Sequence, residues 1–320
     1  MKYFIPALLL ICSMSCERET YIVDIVNPGA FEDTVIDVDP AHFLSASLAE
    51  PVITVPCTLS DGSTTNCFRI VATGNPSDHP VGPWCPREIT DGKEAGGIYL
   101  DGTRSFEIDG AFIERLGFFY GDANWRMFDG AGRVLVTETA EDYANAISPA
   151  TQDAYQNYCV ELRPDQVPET TRTYLIPVTP ARSTGSPTAG FASPTQTRGI
   201  AFNGITFKEP LAIDEIRKAY TLLPLDDAGG HISPEEGYHY HAATGVSTSI
   251  PQEDGHAAMI GYAMDGHGIY AYRDAAGVAI NDNFLDACRG HYDHTRGYHY
   301  HVDEAGANTL LNCLHGPFAD

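Results

Sequence analysis

Leu225-Asp226-Asp227-Ala228-Gly229-Gly230-His231 recurs 60 residues later as Leu285-Asp286-Ala287-Cys288-Arg289-Gly290-His291. In each copy six residues separate that histidine from Tyr-His-Tyr-His, at 238–241 and 298–301, and a glycine (Gly237, Gly297) precedes each run. Nine of the seventeen positions from 225 to 241 are identical in the second copy. Upstream, Gly199-Ile200-Ala201-Phe202-Asn203-Gly204 is echoed by Gly261-Tyr262-Ala263-Met264-Asp265-Gly266. The chain therefore carries a duplicated unit of about forty residues, and a pseudo-two-fold module follows.

Side chains alternate along a strand, so His239 and His241 share one face while Tyr238 and Tyr240 share the other. The second copy repeats this with His299 and His301 opposite Tyr298 and Tyr300. Ten of the twelve histidines fall between His231 and His315, three of them in each repeated motif, which suggests a shared ligand. Neutral imidazole is costly to bury unless both nitrogens are satisfied, and it suits zinc, copper, nickel and iron. The expected arrangement has His239, His241, His299 and His301 converging between the repeats on one transition metal, copper or zinc, with His231 and His291 beside them. Asp226, Asp286 and Asp265 are candidates for orienting the imidazoles. His267, His79 and His256 are accessory candidates. The four tyrosines form core or add phenol ligands. A Tyr-His hydrogen-bond scaffold without metal is the bland alternative, and an open metal position serving copper oxidation or zinc hydrolysis is the catalytic one.

The rest of the chain reads as mainly β with a few helices, a β-sandwich-like core ahead of the duplicated half. Val52–Val55 and Phe68–Val71 flank a polar loop, and Ser105–Ile108, Trp125–Phe128, Arg133–Thr137 and Thr173–Val178 read as further strands. Helices are expected over Ala140–Tyr158 and Ile213–Leu222. The aromatics Phe118, Phe119, Tyr120 and Trp125 are expected in the core. This gives a β-rich half at 51–182, a Pro/Ser/Thr/Gly connector at 183–198 and the His-rich half at 199–320.

The 320 residues carry 43 acidic and 19 basic side chains, a formal charge of −24. Such a surface repels phosphate backbones, which excludes a nucleic-acid partner, and it attracts cations. No Walker loop, H-E-x-x-H or G-x-S-x-G is present. Gly266–Ala271 imitates a dinucleotide fingerprint, but no helix follows it. One cation, Lys2, precedes an apolar run to Cys12, which marks residues 1–15 as an export signal. Ser13-Met14-Ser15-Cys16 resembles a lipoprotein cleavage box, making Cys16 the lipidated end of an acidic tether over 16–50. The membrane is then a partner through this anchor, in the bacterial cell envelope. Six cysteines remain, and oxidation allows fifteen pairings. The favoured set joins Cys57 to Cys67, Cys288 to Cys313 and, by elimination, Cys85 to Cys159.

Beyond the repeats, Asn75–Pro80, Gly82-Pro83-Trp84, Tyr174–Pro177, Gly199–Gly204, His256–Tyr270 and Leu311-Asn312-Cys313 complete a pattern. It resembles the bacterial YHYH-domain family, exported proteins named for the tetrapeptide, over about residues 52–318. The resemblance implies no settled activity. Two positions depart from the pattern: Ala228 stands where it has Cys, and His267-Gly268 where it has Phe-Pro.

Overall fold

The computed structural model describes residues 34–147, 153–168, 171–181 and 196–319. In chain order, β1 (Ile53–Thr58) and β2 (Thr64–Ala72) form a hairpin, and β3 (Ile98–Leu100) pairs with β4 (Ser105–Glu107). Three short helices follow: α1 (Gly110–Glu114), α2 (Leu116–Phe119) and α3 (Ala140–Ala146). Then come β5 (Arg172–Pro177), β6 (Gly199–Ala201), β7 (Thr206–Phe207), α4 (Ile213–Lys218), β8 (Gly230–Ser233) and β9 (Gly237–Tyr240). The last strands are β10 (Met259–Ala263), β11 (Gly268–Tyr270), β12 (Gly290–Asp293) and β13 (Gly297–His301).

The duplication is visible in the eight-stranded sheet, whose order is β12-β13-β11-β10-β6-β7-β9-β8. Each repeat supplies four adjacent strands, and the halves join where β6 pairs antiparallel with β10. Ile200 faces Tyr262 in that pair, its own counterpart in the repeat, so the pseudo-dyad passes between them. A second sheet, β1-β2-β5, contributes Ile70 and Ile176 to the same core cluster as Ile200, Phe202, Phe207 and Tyr240. The mainly β reading holds, but the core expected ahead of the duplicated half is shared with it: the three-stranded sheet packs onto the repeat sheet. A separate cluster of Ile108, Ile113, Leu116, Met127 and Leu222 surrounds the Cys85–Cys159 disulfide. Cys57–Cys67 and Cys288–Cys313 also form, completing the favoured set.

Several expectations change. Residues 34–50, read as tether, pack onto the body: Val38 and Phe43 are buried, and backbone bonds run from Val38 N to Val178 O and from Leu44 N to Phe202 O. The acidic composition hid two apolar anchors. The long helix expected from 140 ends at Ala146, with a 3-10 turn at Asp153–Tyr155. The helix at 213 ends at Lys218. Trp125–Phe128 and Arg133–Thr137 make only isolated bridges, such as Phe128 with Val134. Asp109 caps α1 by accepting from Phe112 N at 2.7 Å. Trp125 is core as expected, whereas Phe118 is 91% exposed. The export signal, Cys16 and most of the connector lie outside the described residues. Among the described residues no helix is long and apolar enough to cross a membrane.

Candidate metal centre

The β8–β9 hairpin sets His231 directly opposite His239, and β12–β13 sets His291 opposite His299. The residue two further on, His241 or His301, projects from the same face and closes a triangle of rings. Left-handed Gly237 and Gly297 (φ +68° and +63°) make the hairpin turns that fix this register. Across the strand, Gly230 and Gly290 lie so close to the Tyr238 and Tyr298 rings that a Cβ would collide with them.

In the first repeat the three Nε2 atoms are 3.0, 3.0 and 3.1 Å apart. His239 Nδ1 donates to Gly237 O at 3.0 Å, and His241 Nδ1 donates to Glu209 O. These bonds fix both protons on Nδ1 and leave two Nε2 lone pairs aimed at one point. Only His231 can offer an N–H there, and its own Nδ1 is buried with no partner among the described residues. One donor cannot satisfy two acceptors. Burial holds His231 and His241 well below the ordinary imidazole range and His239 at about 4, so protonation does not supply the missing donors at neutral pH.

The second repeat adds a fourth ring. His256, His291, His299 and His301 form a cluster whose ligand atoms lie within 4.8 Å of one another. His299 Nδ1 donates to Gly297 O, His301 Nδ1 to Ala271 O and His256 Nδ1 to Ala257 O, each at 3.0 Å. Three lone pairs therefore face one possible donor, His291. Glu209 and Ala271 are equivalent positions, so the carbonyls that orient the rings are duplicated with them. His256 has no counterpart: the position 62 residues earlier is Pro194. Burial again keeps His299 well below its usual range, His291 at about 4 and His301 at about 3.

The expected single site between the repeats is thus corrected to two. β9 and β13 are separated by four strands, because the repeats join through β6 and β10 and leave the His hairpins at opposite ends of the sheet. His231 and His291 move to full membership of the triangles, and His256 from accessory to ligand candidate. The three aspartates do not orient imidazoles. Alternation places them on the tyrosine face, where Asp226 accepts from Tyr238 OH at 2.8 Å, Asp286 from Tyr298 OH at 2.9 Å and Asp265 from Tyr300 OH at 2.6 Å. Those three phenols are therefore buried structural donors, and Tyr240, whose hydroxyl accepts from Asn203, shares their face on the side of the sheet away from the imidazole clusters. Burial, reinforced by those carboxylates, pushes Tyr238, Tyr298 and Tyr300 far up.

Residues 173–279 match the family model described as YHYH protein. That match supports membership of the YHYH protein family. Comparison with curated proteins and with solved structures gives no match. The match takes in the first Tyr-His-Tyr-His run and stops before the second, so the second cluster is reached through the internal repeat.

His79 lies on the tyrosine face. Its Nδ1 is 2.8 Å from Asp78 Oδ1, and its Nε2 is 3.4 Å from both the Tyr238 and Tyr240 hydroxyls. Asn203, the counterpart of Asp265, donates to Tyr240 OH at 2.8 Å and to Asp78 at 3.0 Å. His315 stacks on Tyr298 at 3.9 Å in the second repeat. His267 also lies on this face, 5.0 Å from the Tyr298 ring. Asp78 and Asn203 fall in segments that the sequence pattern picked out, but their role beside His79 and Tyr240 is set only by the fold. Sequence reading missed Lys208 and Tyr270, equivalent positions whose difference the repeat alignment could have shown.

Proposed function

We propose that the chain binds two transition-metal ions, one in each repeat, at His231/His239/His241 and at His256/His291/His299/His301. The observation that carries this reading is the excess of inward lone pairs over donors in both buried clusters, with the outer nitrogens already committed to carbonyls. A ligated ion accepts all of those lone pairs at once. A tetrahedral ion with bonds of about 2.05 Å spaces its nitrogens about 3.3 Å apart. The first triangle, at 3.0 to 3.1 Å, needs an opening of only a few tenths of an ångström. Copper and zinc fit an all-imidazole set best. Three protein ligands leave a fourth position at the first centre, whereas four complete a tetrahedral shell at the second. We further infer that the protein is exported and held at the envelope by a lipid on Cys16. The three disulfides support an oxidising compartment.

The test is a Zn(II) titration of the metal-free protein followed through histidine ring resonances. The seven cluster imidazoles are expected to shift and saturate at two equivalents, while exposed His294 stays in place. Ring resonances unmoved by millimolar Zn(II) or Cu(II) would leave the clusters as scaffold.

A further inference from the structure

We propose that a cleft beside the four-histidine cluster binds a small hydroxylated aromatic molecule, neutral or cationic, between Arg296 and His267. This goes beyond metal binding and does not depend on it. The cleft has a volume of about 400 Å³, within the range of small-molecule sites. Its lining includes the rings of Tyr262, Tyr270 and Tyr298, together with Met259 and Ile250, and it reaches His299. Tyr270 forms the partition, its ring 5.0 Å from His256 and 4.9 Å from His299. A flat apolar body suits such walls.

Two residues of the lining each carry a buried polar atom with no partner among the described residues: Arg296 Nε and His267 Nε2. Both residues are more than nine-tenths buried. Arg296 is held rigidly, its terminal nitrogens paired with Asp293 and Asp254, so the remaining Nε–H is a fixed donor. Buried donors without acceptors are rare in native structures. A guanidinium nitrogen donates only, so the molecule that meets it presents an acceptor, and a hydroxyl accepts while keeping a proton for a nearby lone pair. Charge sets the class further. Two carboxylates already compensate Arg296, and Asp37 and Asp39 also line the cleft, so it disfavours an anion.

The repeat supplies an internal comparison. The positions equivalent to Tyr262, His267 and Tyr270 are Ile200, Ile205 and Lys208, so the first repeat lacks every one of these features. The duplicated unit has diverged to build a ligand site on one side only.

Three probes of one shape test this: tyramine, 4-(2-hydroxyethyl)phenol and 4-hydroxyphenylacetate, cationic, neutral and anionic. Binding is measured by calorimetry on the full exported protein, metal-free and zinc-loaded. The expected result is saturable binding of the first two and weaker binding of the third. His267→Phe and Arg296→Lys each lower affinity at least tenfold, and His267→Gln, which keeps a polar atom, by less. Affinity that persists in metal-free protein separates this site from the metal reading. The proposal is overturned if none of the probes binds, if the anionic probe binds tightest, or if folded His267→Phe binds as well as the wild type.

Discussion

Replacing His239 by Ala removes one corner of the first triangle and leaves the second centre whole. In metal-free protein the loss of a buried ring is offset in part, because the substitution also removes one of two lone pairs that share a single donor. An unsatisfied buried acceptor costs about 1–3 kcal/mol, so the net apo destabilisation is expected at about 1–2 kcal/mol. Metal changes the comparison. A ligand at 100 times its Kd stabilises the native state by about 2.7 kcal/mol per site. For a domain of this order of size, each kcal/mol moves the melting midpoint by roughly 2–4 °C. Saturating Zn(II) should then raise the wild-type midpoint by about 10–20 °C and that of His239→Ala by about half as much. His239→Ala/His291→Ala/His299→Ala, which leaves two imidazoles in each cluster, should show no metal-dependent rise. Differential scanning calorimetry with and without chelator reads all three. A large apo loss in His239→Ala with no metal effect on any variant would refute the argument and make the rings purely structural.

Acid should unfold the metal-free protein early. The cluster imidazoles have folded-state values depressed below about 6.5, so the unfolded chain takes up more protons; stability is full above that pH and is lost as pH falls towards about 4. For His239 alone, held at about 4, the loss by pH 5 is about 2 kcal/mol, and a urea midpoint equal at pH 7.5 and pH 5 in chelator would contradict it. Tyr300→Phe removes one of the bonds to Asp265, which keeps the Gly316 and His267 amides, and strands the amide of His315, which donates to the Tyr300 hydroxyl at 2.6 Å; a loss of about 2–3 kcal/mol in chemical denaturation is expected. Metal uptake by that variant should be unchanged, since Tyr300 faces away from the imidazoles. Removing Cys85–Cys159, which closes 74 residues, should cost about 4 kcal/mol, against about 3 kcal/mol for Cys57–Cys67, which closes 10. Equal denaturation midpoints for the two double-alanine variants would argue against chain entropy as the cause.

Period-two alternation was enough to separate histidine and tyrosine faces, and the repeat was enough to announce a pseudo-dyad, because both are local patterns. Where the dyad runs was not legible. It depends on β6 pairing with β10, and strands of three and five residues carry little register information on their own. That single long-range choice turns one four-histidine site into two. His256 shows the same limit: it sits in a loop outside the repeated motif, and only the fold carries it to His299, with Nε2 atoms 3.2 Å apart. The aspartates were assigned to imidazoles because carboxylates so often orient metal-binding histidines. Here hairpin and strand-end carbonyls take that role, which frees the carboxylates to satisfy phenols that burial would otherwise strand. Val38 and Phe43 were overlooked because two apolar residues in an acidic stretch make no period.

If each repeat holds its own ion, metal content reads it out without any further assumption. Elemental mass spectrometry on tag-free protein, exported and never exposed to chelator, should give two equivalents of copper or zinc per chain. His239→Ala and His291→Ala/His299→Ala, each leaving two imidazoles in its cluster, should each give one, and the combined variant none. A single equivalent abolished by either substitution alone would place one shared site where the sheet separates two. Folded protein that carries no metal and takes up none on titration would contradict the account altogether.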